Sequence, residues 1–262
     1  MLDWWWLIIF GFFIGILASM TGIGGGVFIV PILVFFYSFI ANSATGTSLT
    51  TIIFTAIAST INYAKQKRIY YKTGLILVIT TAPGAYIGAW LATIMEERLL
   101  GLVFGVFLIL VAARTIISEF RKKNRNKQTT TITDTQIIHS GKTIALGIGL
   151  GFFGGVASGL LGIGGGTLIV PIMSIALGMP IHYATATSMF TMIFTSISAV
   201  TKYTQSNLIN FPVALTLAAG TIIGAQVGAY SSKKLSSRNL TLIFAIILII
   251  AGANMIIKYY PT

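Results

Sequence analysis

Apolar runs separated by short polar stretches divide the chain into ten segments, near 4–20, 27–40, 44–63, 73–94, 99–118, 143–161, 167–179, 184–203, 211–231 and 237–257. A helix needs about 20 apolar residues to cross the hydrocarbon core of a bilayer. Most of these runs approach that length, so the pattern predicts an all-α integral membrane protein. The runs at 27–40 and 167–179 are shorter, and each follows a glycine cluster. Full crossings, half-helices and re-entrant elements all stay open for these two. The one polar stretch of any length, 119–141, reads as a linker.

The chain repeats itself. Gly22-Ile23-Gly24-Gly25-Gly26 followed by Val27-Phe28-Ile29-Val30-Pro31 returns as Gly162-Ile163-Gly164-Gly165-Gly166 followed by Thr167-Leu168-Ile169-Val170-Pro171, an offset of 140 residues. At the same offset Ala44-Thr45-Gly46-Thr47-Ser48 matches Ala184-Thr185-Ala186-Thr187-Ser188, and Gly84 and Gly88 match Gly224 and Gly228. The domain organisation is therefore an N-terminal repeat over 1–118, a linker over 119–141 and a C-terminal repeat over 142–262.

Charge adds orientation. Only 8% of residues are charged and 55% are hydrophobic, with a mean hydropathy of +0.91. Soluble domains carry roughly a quarter charged residues, so a water-soluble fold is excluded. The net charge of +12 comes from clusters between apolar runs, which fits loops at anionic lipid headgroups and argues against nucleic acid as a partner. Counting crossings puts 14 Lys and Arg on one side and only Arg98, Lys202 and Lys258 on the other. The positive-inside rule makes the rich side cytoplasmic. This predicts a multi-pass protein of the cell (cytoplasmic) membrane with both termini extracytoplasmic and the basic linker inside. Trp4, Trp5, Trp6 and Trp90 then fall near the outer interface, and the first run reads as a retained span. The loop after the third segment is basic, whereas its counterpart around Asn207 is nearly uncharged; the loop with Glu96, Glu97 and Arg98 has a counterpart holding Lys233, Lys234 and Arg238. Equivalent loops thus lie on opposite sides, the signature of two inverted-topology repeats of about five helical segments each, a common transporter construction.

Candidate chemistry follows from the repeated motifs. Three glycines in four positions disfavour a continuous helix, and at membrane depth broken backbone survives only where protein or a water-filled cavity satisfies it. Gly24, Gly25 and Gly26 with Gly164, Gly165 and Gly166 are therefore candidates for helix starts whose N–H groups face an anion. Close backbone packing explains the same glycines. Thr45, Thr47 and Ser48 with Thr185, Thr187 and Ser188 open apolar helices, either as caps or as hydroxyls for an oxyanion. Asn42 and His182 hold equivalent positions ahead of these trios, and Asn62 and Gln226 are polar within apolar spans. All four are candidates for lining a path, with structural hydrogen bonding the alternative. Pro31, Pro83 and Pro171 are expected to kink or start helices.

Other functions are poorly supplied. The chain has no Cys, two His and five acidic residues, so neither a metal site nor a cofactor is expected. The glycine clusters lack the acidic residue of a dinucleotide site. Ser158-Gly159 with His182 is a thin basis for an intramembrane protease, and short loops offer little to a scaffold. No Asp or Glu falls within a predicted span, which argues against a carboxylate proton relay or cation site. A bound anion would rest on helix starts, N–H groups and hydroxyls.

On the paired glycine motifs ending in Ile-Val-Pro, the Ala-Thr-Gly-Thr-Ser-type segments and the duplicated halves, the chain resembles the TauE/SafE, or sulfite exporter, family of membrane permeases. Ala186 stands where the first half has Gly46, which sets the copies apart. The resemblance implies a non-enzymatic secondary transporter of sulfite, sulfonates or related organosulfur anions, with small carboxylates as the alternative.

Overall fold

The structure is a computed structural model that describes residues 4–122, 141–232 and 238–260. Among these, every regular element is a helix: α1 (Trp4–Thr21), α2 (Gly26–Phe36), α3 (Ala41–Lys65), α4 (Tyr71–Ile94), α5 (Glu97–Lys122), α6 (Gly141–Leu161), α7 (Gly166–Pro171, continuing as a π-helical turn over Ile172–Ala176), α8 (Ile181–Gln205), α9 (Phe211–Ser231) and α10 (Arg238–Tyr259). Each expected run contains one helix. The linker's residues 123–140 lie outside the described residues.

Five helices, α3, α4, α5, α8 and α9, are long and apolar enough to cross a membrane by length and composition. α2 is not. Its 11 residues span about 16 Å at 1.5 Å per residue, roughly half of the 30 Å core. The three prolines start nothing: Pro31, Pro83 and Pro171 all lie inside helices. The trios also sit further in than expected, because α3 begins at Ala41 and α8 at Ile181.

Packing follows an outside-in rule. The least apolar long helices, α3 and α8, are the most buried, while the most apolar, α5, is the least buried. Ile79, Leu110 and Phe153 project outward, whereas Thr51, Thr55, Ser59, Thr191, Thr195 and Ser196 are buried. Lipid covers apolar side chains, so a membrane fold spends its hydroxyls inside.

The halves interlock through glycine. A Cβ on Gly224 or Gly228 would meet the carbonyl of Phe12 or Ile16, which lays α9 along α1 with both running the same way. Gly84 and Gly88 make the equivalent approach of α4 to Phe152 and Val156 of α6. α5 and its repeat partner α10 instead run antiparallel, with Gly101 against Tyr259 and Gly105 against Gly252 and Ile256. The start of α3 at Gly46 likewise meets Tyr203 near the end of α8.

Candidate functional site

α1 stops because Gly22 turns left-handed (φ 75°), and Gly24 and Gly25 follow at φ 90° and 91° before α2 begins. Gly162, Gly164 and Gly165 repeat this at φ 70°, 74° and 84°. Only glycine adopts such a run without strain. Space imposes the same choice. A Cβ on Gly22 would stand 2.8 Å from Ser188 Oγ, and one on Gly162 would stand 2.8 Å from Thr45 Cα.

The two clusters, 140 residues apart, lie back to back. A Cβ on Gly26 would collide with the Gly162 carbonyl, and one on Gly166 with the Gly22 carbonyl. Met192 packs against Gly24 and Gly164, and Ile52, its repeat equivalent, against Gly164. Gly24, Gly25, Gly26, Gly164, Gly165 and Gly166 are all buried. At the start of α2, Phe28 N and Ile29 N donate to Gly25 O at 3.0 and 3.1 Å. The N–H groups before them have no partner within the helix.

The trios bind the clusters reciprocally. Ser48 Oγ donates to Gly162 O at 2.9 Å, and Ser188 Oγ donates to Gly22 O at 3.0 Å. Thr47 Oγ1 accepts from Asn210 N at 3.1 Å, and Thr187 Oγ1 accepts from Tyr70 N at 3.0 Å. Tyr63 OH donates to Ser19 O at 2.6 Å and Tyr203 OH to Gly159 O at 2.9 Å. In each pair both residues shift by the repeat offset. Thr45 Oγ1 bonds back to Ala41 O within α3. Thr185 is buried one turn ahead of Ser188, which also donates to Thr185 O at 2.8 Å. None of these hydroxyl bonds caps the helix that carries it; those of Thr47, Ser48, Thr187 and Ser188 tie one repeat to the other.

The copies differ in polarity. Beside Gly165, Ser158 Oγ is fully buried with no hydrogen-bond partner, and Thr167 Oγ1 is in the same state at the start of α7. The first half has Ala18 and Val27 at these positions. Sequence reading weighed Ser158 only as a protease serine and passed over Thr167; comparing each repeat position with its mate would have marked both. Ser158 makes no bond to His182, and His182 is exposed at the start of α8.

The remaining candidates lie apart from the crossing. Asn42 Nδ2 donates to Ala92 O at 2.7 Å and holds the last turn of α4. Asn62 and Gln226 meet: Asn62 Nδ2 donates to Gln226 Oε1 at 3.1 Å, and Gln226 Nε2 donates to Ala58 O at 2.8 Å. Among the described residues no group of three or more His, Cys, Asp or Glu gathers as metal ligands.

A family model described as sulfite exporter TauE/SafE matches residues 7–255. The chain is 34% identical to the probable membrane transporter protein YunE of Bacillus subtilis, over 95% of this chain and 96% of that one. It is 30% identical to a probable membrane transporter protein of Methanocaldococcus jannaschii, over 96% of this chain and 94% of the other. No solved structure matches.

Proposed function

Because the chain belongs to the TauE/SafE sulfite exporter family and is a multi-pass membrane transporter, not an enzyme, we propose that it moves small anions such as sulfite, sulfonates or related organosulfur compounds. The observation that carries the mechanism is the reciprocal pair Ser48–Gly162 and Ser188–Gly22. Two halves that make equivalent contacts can exchange conformations at little net cost, which is the basis of alternating access between inverted repeats. The antiparallel packing of α5 on α10 supports inversion across the cell membrane, with the basic linker cytoplasmic and both termini outside.

The crossing supplies what an anion needs when no buried carboxylate among the described residues repels it: N–H groups of Gly24, Gly25, Gly26, Gly164, Gly165 and Gly166 at helix starts. Ser48 and Ser188 hold the clusters together in this buried arrangement, and with Thr45, Thr47, Thr185 and Thr187 they turn to the anion as the clusters part. Ser158 and Thr167 add two hydroxyls to the second cluster, while Asn42, Asn62, His182 and Gln226 lie along the approaches. Such a site binds weakly and releases quickly, as export requires.

Flux of radiolabelled sulfite and sulfonate into proteoliposomes, with pH and voltage imposed separately, tests this reading. Saturable flux with mutual competition among sulfur anions is expected. Absence of that flux in folded protein, with small carboxylates moved instead, would replace the substrate class and keep the transporter.

A further inference from the structure

Arg68 sits in the turn between α3 and α4, beside the exposed Lys65, Lys67 and Lys72. Unlike those lysines it is only 7% exposed. Its Nη1 donates to Gln66 Oε1 and to Ser232 Oγ, both at 3.0 Å, and its guanidinium lies 5.6 Å from the centre of the Tyr63 ring. Both acceptors are neutral. Among the described side chains the carboxylates are Glu96 and Glu97, which lie beyond the far end of the 24-residue α4, about 36 Å along its axis. Arg68 has no counter-charge among the described side chains, and burying a charge without one is costly.

A line of amides runs inward from it. Gln66 Nε2 donates to Asn62 Oδ1 at 3.2 Å, Asn62 Nδ2 to Gln226 Oε1, and Gln226 Nε2 to Ala58 O. Next to Ala58, the fully buried Ser59 Oγ has no hydrogen-bond partner. The internal repeat is the control for a purely architectural role. Arg68 is matched by Leu208, Gln66 by Ser206, Gln226 by Tyr86 and Ser232 by Ala92, so the fold is built at its other end without this track. The glycine clusters and their serines, by contrast, are kept in both halves.

We propose that Arg68 is an anion-coordinating residue at the basic end of the transport path, where a small oxyanion supplies the counter-charge that no described side chain provides. Its hydrogen bonds among the described residues use Nη1 alone, leaving the Nε–Nη2 edge for two parallel bonds to one oxyanion. The surrounding lysines raise the local anion concentration, and the amide line leads from Arg68 toward the buried hydroxyls of α3. This inference rests on the anion reading above.

The test compares wild type, Arg68→Gln, Arg68→Lys and Lys67→Gln, each as the full chain in proteoliposomes with sulfite and ethanesulfonate as probes. Thermal stabilisation by the same anions is measured in detergent. With loss of a charge-assisted bidentate contact, Arg68→Gln should raise KM about tenfold or more and abolish the stabilisation. Arg68→Lys keeps the charge and lacks the fork, so it should raise KM about threefold; Lys67→Gln should stay within about twofold. Wild-type KM in folded Arg68→Gln overturns the proposal, and so does wild-type KM in Arg68→Lys should the glutamine variant not fold. Wild-type protein that neither carries nor is stabilised by sulfite, a sulfonate or a small carboxylate overturns the anion reading, and this proposal with it. Wild-type transport with unaffected Arg68 variants sinks the proposal alone.

Discussion

Replacing Gly26 with Ala puts one methyl group where the two glycine clusters meet. Gly26 opens α2 with ordinary helical backbone, outside the positive-φ set, so alanine there gains about 1 kcal/mol of helix propensity. Its Cβ, however, would stand 2.7 Å from Ile163 Cα and 3.0 Å from Gly162 C, and nearer still to Gly162 O. These are backbone atoms and cannot rotate aside. Carbon atoms prefer about 3.5–4.0 Å, so the clusters must separate by roughly 0.8 Å or more. That movement strains the Ser48–Gly162 bond, now 2.9 Å. Overpacking costs about 1–3 kcal/mol, and stranding a buried carbonyl costs about 1–3 kcal/mol. After the propensity gain the net destabilisation is about 1–5 kcal/mol, and every 1.4 kcal/mol shifts the population of this arrangement about tenfold. Thermal unfolding in detergent and flux in proteoliposomes should both fall, and Gly166→Ala should behave alike because its Cβ meets the Gly22 carbonyl. Gly149→Ala is the control, since nothing lies within 4 Å of its Cβ; it should melt at or slightly above wild type. A Gly26→Ala protein that keeps both melting temperature and flux would refute the close crossing.

Ser48→Ala and Ser188→Ala should each destabilise by about 1–3 kcal/mol by leaving a buried carbonyl unpaired, a loss read as a lower melting temperature; equal melting of both variants and wild type would remove the reciprocal strut. Ser158→Ala should leave stability unchanged, because its hydroxyl has no protein partner, yet raise the transport KM by about tenfold if the hydroxyl binds the anion. An unchanged KM assigns Ser158 to packing. The chain has no Cys, so the repeat-equivalent exposed positions Lys65 and Gln205 can each be replaced by Cys. An impermeant maleimide should label Gln205→Cys in intact cells and Lys65→Cys only after permeabilisation, whereas labelling of both from one side would mean parallel repeats.

The duplication, the ten helical runs, the brevity of α2 and the candidate glycines were legible in the chain because each rests on local facts: hydropathy over about 20 residues, glycine's preference for broken helix and an offset that self-comparison exposes. The partners of the hydroxyls were not legible. In the sequence Ser48 and Ser188 read equally as caps or as oxyanion ligands; tertiary packing, which sets them against glycine carbonyls 114 and 166 residues away along the chain, makes them struts in this arrangement. Arg68 shows the same division. In the sequence it is one of 14 cations that orient the protein; in the fold it is the buried one among those whose side chains are described, meeting Ser232 from the other repeat. Composition and period determine which segments enter lipid, because transfer from water is summed over a segment. Which polar atoms meet inside is decided by the crossing of helices distant in sequence, since hydrogen bonds act over about 3 Å and hydropathy carries no record of them.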